Sequence, residues 1–374
     1  MVIIGPIIVP FLLMKGLSYS EIMLLQSISA ISVVIFEVPT GAIADKISRK
    51  FSMSLSGFVV GFALILYIVF TNFFVFVIAE ILFGIGLTLY SGADTSLLYE
   101  SLNKLGRKDE FQIIEGHASS NVFYGQAIGS AISGFLYAYF ATLPLWISVI
   151  NVFIASIIAF NFTEVERKKS EHKYHMHILE SFKISFKNAR ILWAFSFAAI
   201  MGFVFRTTFW LYQPYFDEVS IDVKYFGLIF FFFNIVAAIS SKYVIKYVSK
   251  KRPRKVLIRL LGIVGITFIV PVLLLSPFSI IILALQQMVR GLYRTVLRFY
   301  INHQIQDEFR ATVTSLVSLA MSLSFAIFSP FVGVSLDNKG VEFTYIWMAI
   351  VSFGGAVFLL FLRKIQKIRK NINN

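Results

Sequence analysis

From Ala118 to Thr163 the chain contains no Asp, Glu, Lys or Arg, and the same is true from Phe51 to Ala79, from Leu260 to Val289, from Ala311 to Leu336 and from Phe343 to Leu362. A helix that crosses a bilayer needs about 20 mainly apolar residues. The last two runs are each one crossing long. The first three are longer, and each carries a turn signal inside it: Thr71-Asn72, Thr142-Leu143-Pro144 and Ser276-Pro277. Such runs leave little room for a soluble fold. Only 14% of the residues are charged, where a soluble domain carries about 25%. Hydrophobic residues make up 57%, with 41 Phe among them.

These runs predict an all-α, polytopic membrane protein with 12 transmembrane helices. The predicted spans are 1–14, 19–39, 51–70, 74–99, 116–139, 145–162, 191–213, 223–244, 256–275, 278–300, 312–336 and 342–363. They fall into two bundles of six, residues 1–162 and 191–374 with a basic tail, joined by a linker at 163–190. The first span is short: 14 residues cover about 21 Å of a core about 30 Å thick. It has no basic leader or small-residue cleavage site of a signal peptide. The expectation is that the true first helix begins upstream.

The formal net charge is +14. Its distribution, more than its size, is informative. Lys46, Arg49 and Lys50, then Lys104, Arg107 and Lys108, then the linker, then Lys250, Lys251, Arg252, Arg254 and Lys255, and finally the tail from Arg363 all fall on one set of loops. The opposite loops hold only Lys15, Lys224 and Lys339. This is the bias that keeps Lys and Arg on the cytoplasmic side. Both termini and the linker are therefore read as cytoplasmic, in a multi-pass protein of the cell membrane. The basic runs set topology and meet membrane lipids; they call for no nucleic acid. Within the linker, Ile178, Leu179, Phe182 and Phe186 recur at helical spacing among lysines, which predicts a helix lying in the interface.

No cysteine is present, which excludes disulfides, thiolate-held metals and Cys nucleophiles. His172, His175 and His177 sit together in the basic linker without carboxylate or thiolate partners, so they read as a solvated loop and no metal site is assigned. No cofactor is implied. A membrane enzyme would need paired His or carboxylates at a membrane surface, and no such pair stands out.

Between the second and third spans lies Gly41-Ala42-Ile43-Ala44-Asp45-Lys46-Ile47-Ser48-Arg49-Lys50. It resembles the signature loop of the major facilitator superfamily, Gly-x-x-x-Asp-Arg/Lys-x-Gly-Arg-Arg/Lys. Gly41, Asp45, Lys46, Arg49 and Lys50 match, and Ser48 replaces a glycine. The resemblance covers the whole chain. It implies the major facilitator fold, two bundles that rock to expose a central cavity to each side in turn, and a loop that gates that change. It implies a transporter working as a monomer on a small-molecule substrate, not an enzyme. Glu37, at the end of the second span, is the expected partner of the basic loop.

The fifth span contains Gly125, Gly129, Ser133 and Gly134; the first three are four apart and share a face that allows close helix approach. The run resembles the Gly-x-x-x-Gly-Pro-x-x-Gly-Gly motif of the antiporter branch, with Ser130 in place of the proline. Pro330 and Gly333 stand at matching offsets in the eleventh span, as in a duplicated fold. Ordinary small-residue packing is the plainer reading of the same face.

Ionisable residues inside spans are costly and mark candidate sites. They are Glu80 and Asp94 in the fourth span, Arg206 in the seventh, and Arg290 and Arg294 in the tenth. In the family, helices one, four, seven and ten line the cavity. Glu80 and Asp94 are the candidate proton carriers, and the arginines are candidate cavity residues. Buried pairs that only hold the fold together are the alternative. The resemblance to the drug/proton antiporters implies proton-coupled efflux of a small, largely apolar compound. The alternative is a proton-coupled uptake symporter for a small metabolite; three arginines would suit an anionic one.

Overall fold

The computed structural model describes residues 2–164, 189–248, 253–304 and 307–372. All regular structure among them is helical. A bilayer core offers no water to satisfy peptide groups, so each crossing segment must bond its backbone internally, and a helix does this. The chain divides into two compact units: Met1–His172 with Asp222–Phe231, and Lys173–Ile221 with Phe232–Asn374. The amphipathic pattern and the histidines of the linker lie outside the described residues.

In the first unit a short 3-10 turn, Gly5–Ile7, leads into α1 (Ile8–Met14), and α2 follows at Tyr19–Lys46. Ser18 caps α2 in a reciprocal box: its hydroxyl accepts from the Glu21 N–H, and the Glu21 carboxylate accepts from the Ser18 N–H at 2.8 Å. Then come α3 (Arg49–Val69) and α4 (Phe73–Tyr90), the latter capped by Asn72, whose side chain accepts from the Phe74 N–H at 2.9 Å. The predicted turn at Thr71-Asn72 is therefore this cap. At Ser91-Gly92 the fourth span breaks, with Gly92 at φ 77°, and it resumes as α5 (Ala93–Lys104). The expected continuous helix over 74–99 is thus two pieces. Next are α6 (Phe111–Tyr139) and α7 (Leu143–Phe160), which has Pro144 in its first turn, where no N–H is needed.

In the second unit α8 runs over Ala189–Glu218, α10 over Pro253–Leu274, α11 over Ile280–Gln304 and α12 over Asp307–Ile372. Between α8 and α10 lies α9 (Phe226–Val248), whose first turns belong to the first unit and the remainder to the second. α12 is two helical stretches joined at a kink at Gly340 (φ 78°, ψ −178°), a backbone state open essentially to glycine alone. The predicted spans 312–336 and 342–363 fall on either side of it.

Among the described residues nine helices are long and apolar enough to cross a membrane, against the twelve expected. The difference has three sources. The first segment, Gly5–Met14, is short. The expected spans 312–336 and 342–363 are two helices that meet at the non-helical Gly340, and they count as one segment among the nine. α6 is not among the nine, and its first half carries Glu115, His117, Ser120 and Asn121.

The first unit is filled by Ile7, Phe11, Leu12, Leu25, Leu64 and Phe76, all fully buried. In the second, Trp193, Phe197, Val204, Leu211, Tyr215, Phe268, Tyr345 and Met348 are buried where α8 packs on α12 and α10 packs on α12. Phe74, Tyr139, Leu273 and Phe278 point outward and are exposed. Large apolar side chains on the outside suit a surface that meets lipid tails.

Candidate functional site

The second unit contains a cavity of about 580 Å³ between α8, α11 and α12. Four arginines line it: Arg206 from α8 and Arg290, Arg294 and Arg298 from α11. Residues 290, 294 and 298 are four apart, so an α-helix places them in a row on one face. The sequence points to the first three of these arginines, and the structure brings them into one cavity. Arg298, near the end of the predicted span 278–300, lies within α11 and joins them.

Three of the arginines are held by neutral groups. Arg290 donates from Nη2 to Asn234 Oδ1 at 2.8 Å. Arg294 donates from Nε to the Tyr293 hydroxyl at 3.1 Å, and Arg206 from Nη1 to Ser322 Oγ at 3.3 Å. The Arg206 guanidinium also lies 4.8 Å from the centre of the Phe325 ring. No Asp or Glu is among the described residues lining the cavity. One wall is aromatic: Phe205 stacks on Tyr293 with ring centres 5.0 Å apart and planes 6° from parallel, and Phe209 lies on the same cavity. Thr314, Ser318 and Ser322 bring hydroxyls from α12.

Behind the cavity the Tyr212 hydroxyl donates to Gln286 Oε1 at 2.8 Å and accepts from Gln287 Nε2 at 2.6 Å. These groups are buried, so the network holds α8 to α11 through bonds that would be expensive to leave unmade. Gln213 is buried one residue away in α8.

In the first unit Glu80 is 6% exposed on α4. Its Oε1 accepts from Tyr67 OH on α3 at 2.5 Å and from Gln26 Nε2 on α2 at 2.7 Å, and Ser29 on α2 also hydrogen bonds to it. Tyr67 in turn stacks on Phe76 at 5.0 Å. Asp94 sits in the first turn of α5, where its Oδ1 accepts from Thr95 Oγ1 at 3.1 Å. Glu80 and Asp94, both expected in one helix, thus stand on different pieces of the broken span with different neighbours.

The signature segment is more helical than expected. α2 continues through Gly41 and Asp45 to Lys46, leaving only Ile47 and Ser48 as the turn. Arg49 Nη1 pairs with Glu100 Oε2 at 2.6 Å, and its Nη2 lies 3.6 Å from Asp45 Oδ1. Glu37, the partner expected for this loop, is exposed on α2 instead. Lys50 lies over the Phe160 ring at 5.6 Å. Ser48 has φ −170° and ψ 137°, an extended state that needs no glycine, and its hydroxyl accepts from the Phe51 N–H at 3.1 Å to cap α3. The Glu164 carboxylate closes the same helix end: it accepts from Ser48 Oγ at 2.7 Å, Arg49 N at 3.0 Å and Lys50 N at 3.1 Å.

On α6, Gly129, Ser133 and Gly134 are buried, and a methyl group added to Gly134 would meet the Val223 carbonyl oxygen at 2.7 Å. The chain at 223–227 therefore approaches α6 closely across its small-residue face. Gly125 is half-buried further along the same helix. Pro330 and the buried Gly333 lie inside α12.

Outside the spans, hydrogen bonds from the Arg107 guanidinium hold the Glu110 carboxyl below its ordinary range, and the Lys224 N–H does the same for Asp222.

The sequence did not point to Gln26, Tyr67, Asn234, Tyr293, Ser322, Glu100 or Glu164. The four-residue step from Arg294 to Arg298 was the one available signal. The others are polar residues whose partners lie far along the chain.

The model of the Major Facilitator Superfamily matches residues 1–285. A Bacillus subtilis (strain 168) protein, described as the uncharacterized MFS-type transporter YxaM, is 23% identical over 366 residues, which cover 93% of this chain and 88% of that protein. Among solved structures, the nucleoside transporter NupG is similar with a TM-score of 0.75 at 16% identity, over 94% of this chain and 92% of that one. A bacterial homolog to the human lysosomal transporter Spinster, inward-facing and occupied, gives 0.75 at 14% identity, over 97% and 92%. At these identities the two structures speak to fold.

Proposed function

The chain belongs to the major facilitator superfamily, and on that premise we propose that it is a proton-coupled secondary transporter of the cell membrane for a small solute carrying negative charge. The observation that carries this reading is the arginine cavity. Arg206, Arg290, Arg294 and Arg298 face one space, and no Asp or Glu is among the described residues that line it. A guanidinium inside a membrane span is costly unless it meets water or a counter-charge. An apolar cargo would supply neither, and an anion supplies the second. The volume of about 580 Å³ lies in the range of small-molecule sites.

In this reading Glu80 carries the proton. It is a buried carboxylate surrounded by neutral hydrogen-bond partners, so gain or loss of one proton changes its whole local balance. Asp94 is the second candidate. The protein works as a monomer of twelve spans, with both termini and residues 163–190 cytoplasmic, as the placement of Lys and Arg supports. Asp45, Lys46, Arg49 and Lys50 form the gate of alternating access.

A second reading, proton-driven efflux of a largely apolar compound, is supported by the small-residue face of Gly125, Gly129, Ser133 and Gly134 and by Pro330 and Gly333. Proteoliposomes containing a pH-sensitive dye separate the two. Organic anions added outside should carry protons inward with them. Proton flux that responds to hydrophobic cations and ignores anions would sink the anion reading.

A further inference from the structure

We infer that the solute is a small organic dianion whose two charges sit on separate groups. The inference rests on the anion reading above and deepens it. Arg290, Arg294 and Arg298 stand in one row, about 6 Å apart per step and about 12 Å from first to last. Arg206 faces the same cavity from α8. Like charges on one helix face repel one another, so an occupant that neutralises only one of them leaves most of that repulsion in place.

The donor count points the same way. A guanidinium carries five N–H groups in a planar fork. The contacts described above occupy one fork position each on Arg206, Arg290 and Arg294, all with neutral acceptors. Most of their donors therefore have no protein acceptor among these contacts. One carboxylate offers about four lone-pair sites, enough for two forks. Two such groups match the four arginines, and their separation must span a step of the helix row. Between the charges, the carbon chain of the solute lies against the wall lined by Phe205, Phe209 and Tyr293. A dicarboxylate of four to six carbons has this form. Arg is suited to hold each end because its fork matches a carboxylate with two parallel bonds.

The test uses the purified full chain in lipid nanodiscs. Thermal unfolding is followed against succinate, glutarate and adipate, the monoanion butyrate, inorganic phosphate and the uncharged diamide of succinate. At least one dicarboxylate should stabilise the protein with an affinity about ten- to a hundredfold above that of butyrate, as expected for an added charge-assisted pair. Phosphate, which concentrates its charge on one group, should not match it. In Arg290→Gln and, separately, Arg298→Gln, the advantage over butyrate should vanish while the unfolding temperature without ligand stays at or above that of the parent, because a repelling charge is gone. Equal affinity for butyrate and the dicarboxylates would overturn the inference and leave the anion reading standing. Binding of the diamide with no response to any anion would overturn both.

Discussion

Arg49 on α3 and Glu100 on α5 meet at 2.6 Å, and this pair ties the start of the third span to the far piece of the broken fourth span. The Arg49 side chain is 11% exposed and that of Glu100 27%. Asp45, one helical turn before Arg49, lies 3.6 Å from its other nitrogen. The pairing joins three residues of which only two belong to the signature segment.

Loss of the cation should cost more than loss of one anion. Arg49→Gln leaves Asp45 and Glu100 facing each other without a counter-charge, whereas Glu100→Gln keeps Asp45 on the arginine. Thermal unfolding in detergent should show Arg49→Gln less stable than the parent, by more than the about 0–1 kcal/mol of an exposed ion pair and less than the about 3–5 kcal/mol of breaking a fully buried one. The Glu100→Gln variant should lie between. The same order should appear in transport. If the two variants unfold alike, the pair does not organise this end of the unit.

Glu80→Gln keeps the shape of the side chain and removes its titration. The amide still offers an acceptor to Tyr67 and Gln26, so the yield of folded protein in the membrane should stay near that of the parent. Solute-driven proton movement in dye-loaded proteoliposomes should fall severalfold or more. Normal proton movement by Glu80→Gln would pass the role of proton carrier to Asp94.

Gly340→Ala tests the break in α12. The φ of 78° with ψ of −178° is a state that a side chain resists. A methyl group there should destabilise by about 1–3 kcal/mol. The cavity lies well before residue 340 in sequence, so binding of anions, measured at a temperature where the variant remains folded, should be unchanged. A variant as stable as the parent would mean that the break tolerates a side chain.

Glu164→Ala removes the carboxylate that accepts three hydrogen bonds at the start of α3. Ser48 still caps the helix through the Phe51 N–H, so the loss should be about 0.5–2 kcal/mol, that of a single cap. Ser48→Ala removes both the Phe51 cap and one bond to Glu164 and should cost at least as much. Ser48→Gly, which restores the family residue, should also be destabilising here. Unfolding temperatures of the three variants in one detergent give the comparison.

The spans, their polar joints and their basic flanks could be read from the sequence because they are local properties. Hydrophobic length decides whether a segment can cross, and a cap such as Asn72 or Ser18 acts on N–H groups two or three residues away. The charged residues within the spans stood out for the same reason: a lone Glu80 or Arg290 in an apolar run is visible without knowing its neighbours. Their surroundings were not visible. Whether Arg298 ends a helix or lines a cavity depends on how far α11 continues and on which face α8 and α12 leave open. Gln26 and Tyr67 meet Glu80 from two other helices, and Glu100, not the nearer Glu37, meets Arg49. Such pairings depend on the rotation of each helix about its own axis, which is set by packing between segments tens of residues apart. Local composition carries no record of that rotation, and the tertiary structure decides it.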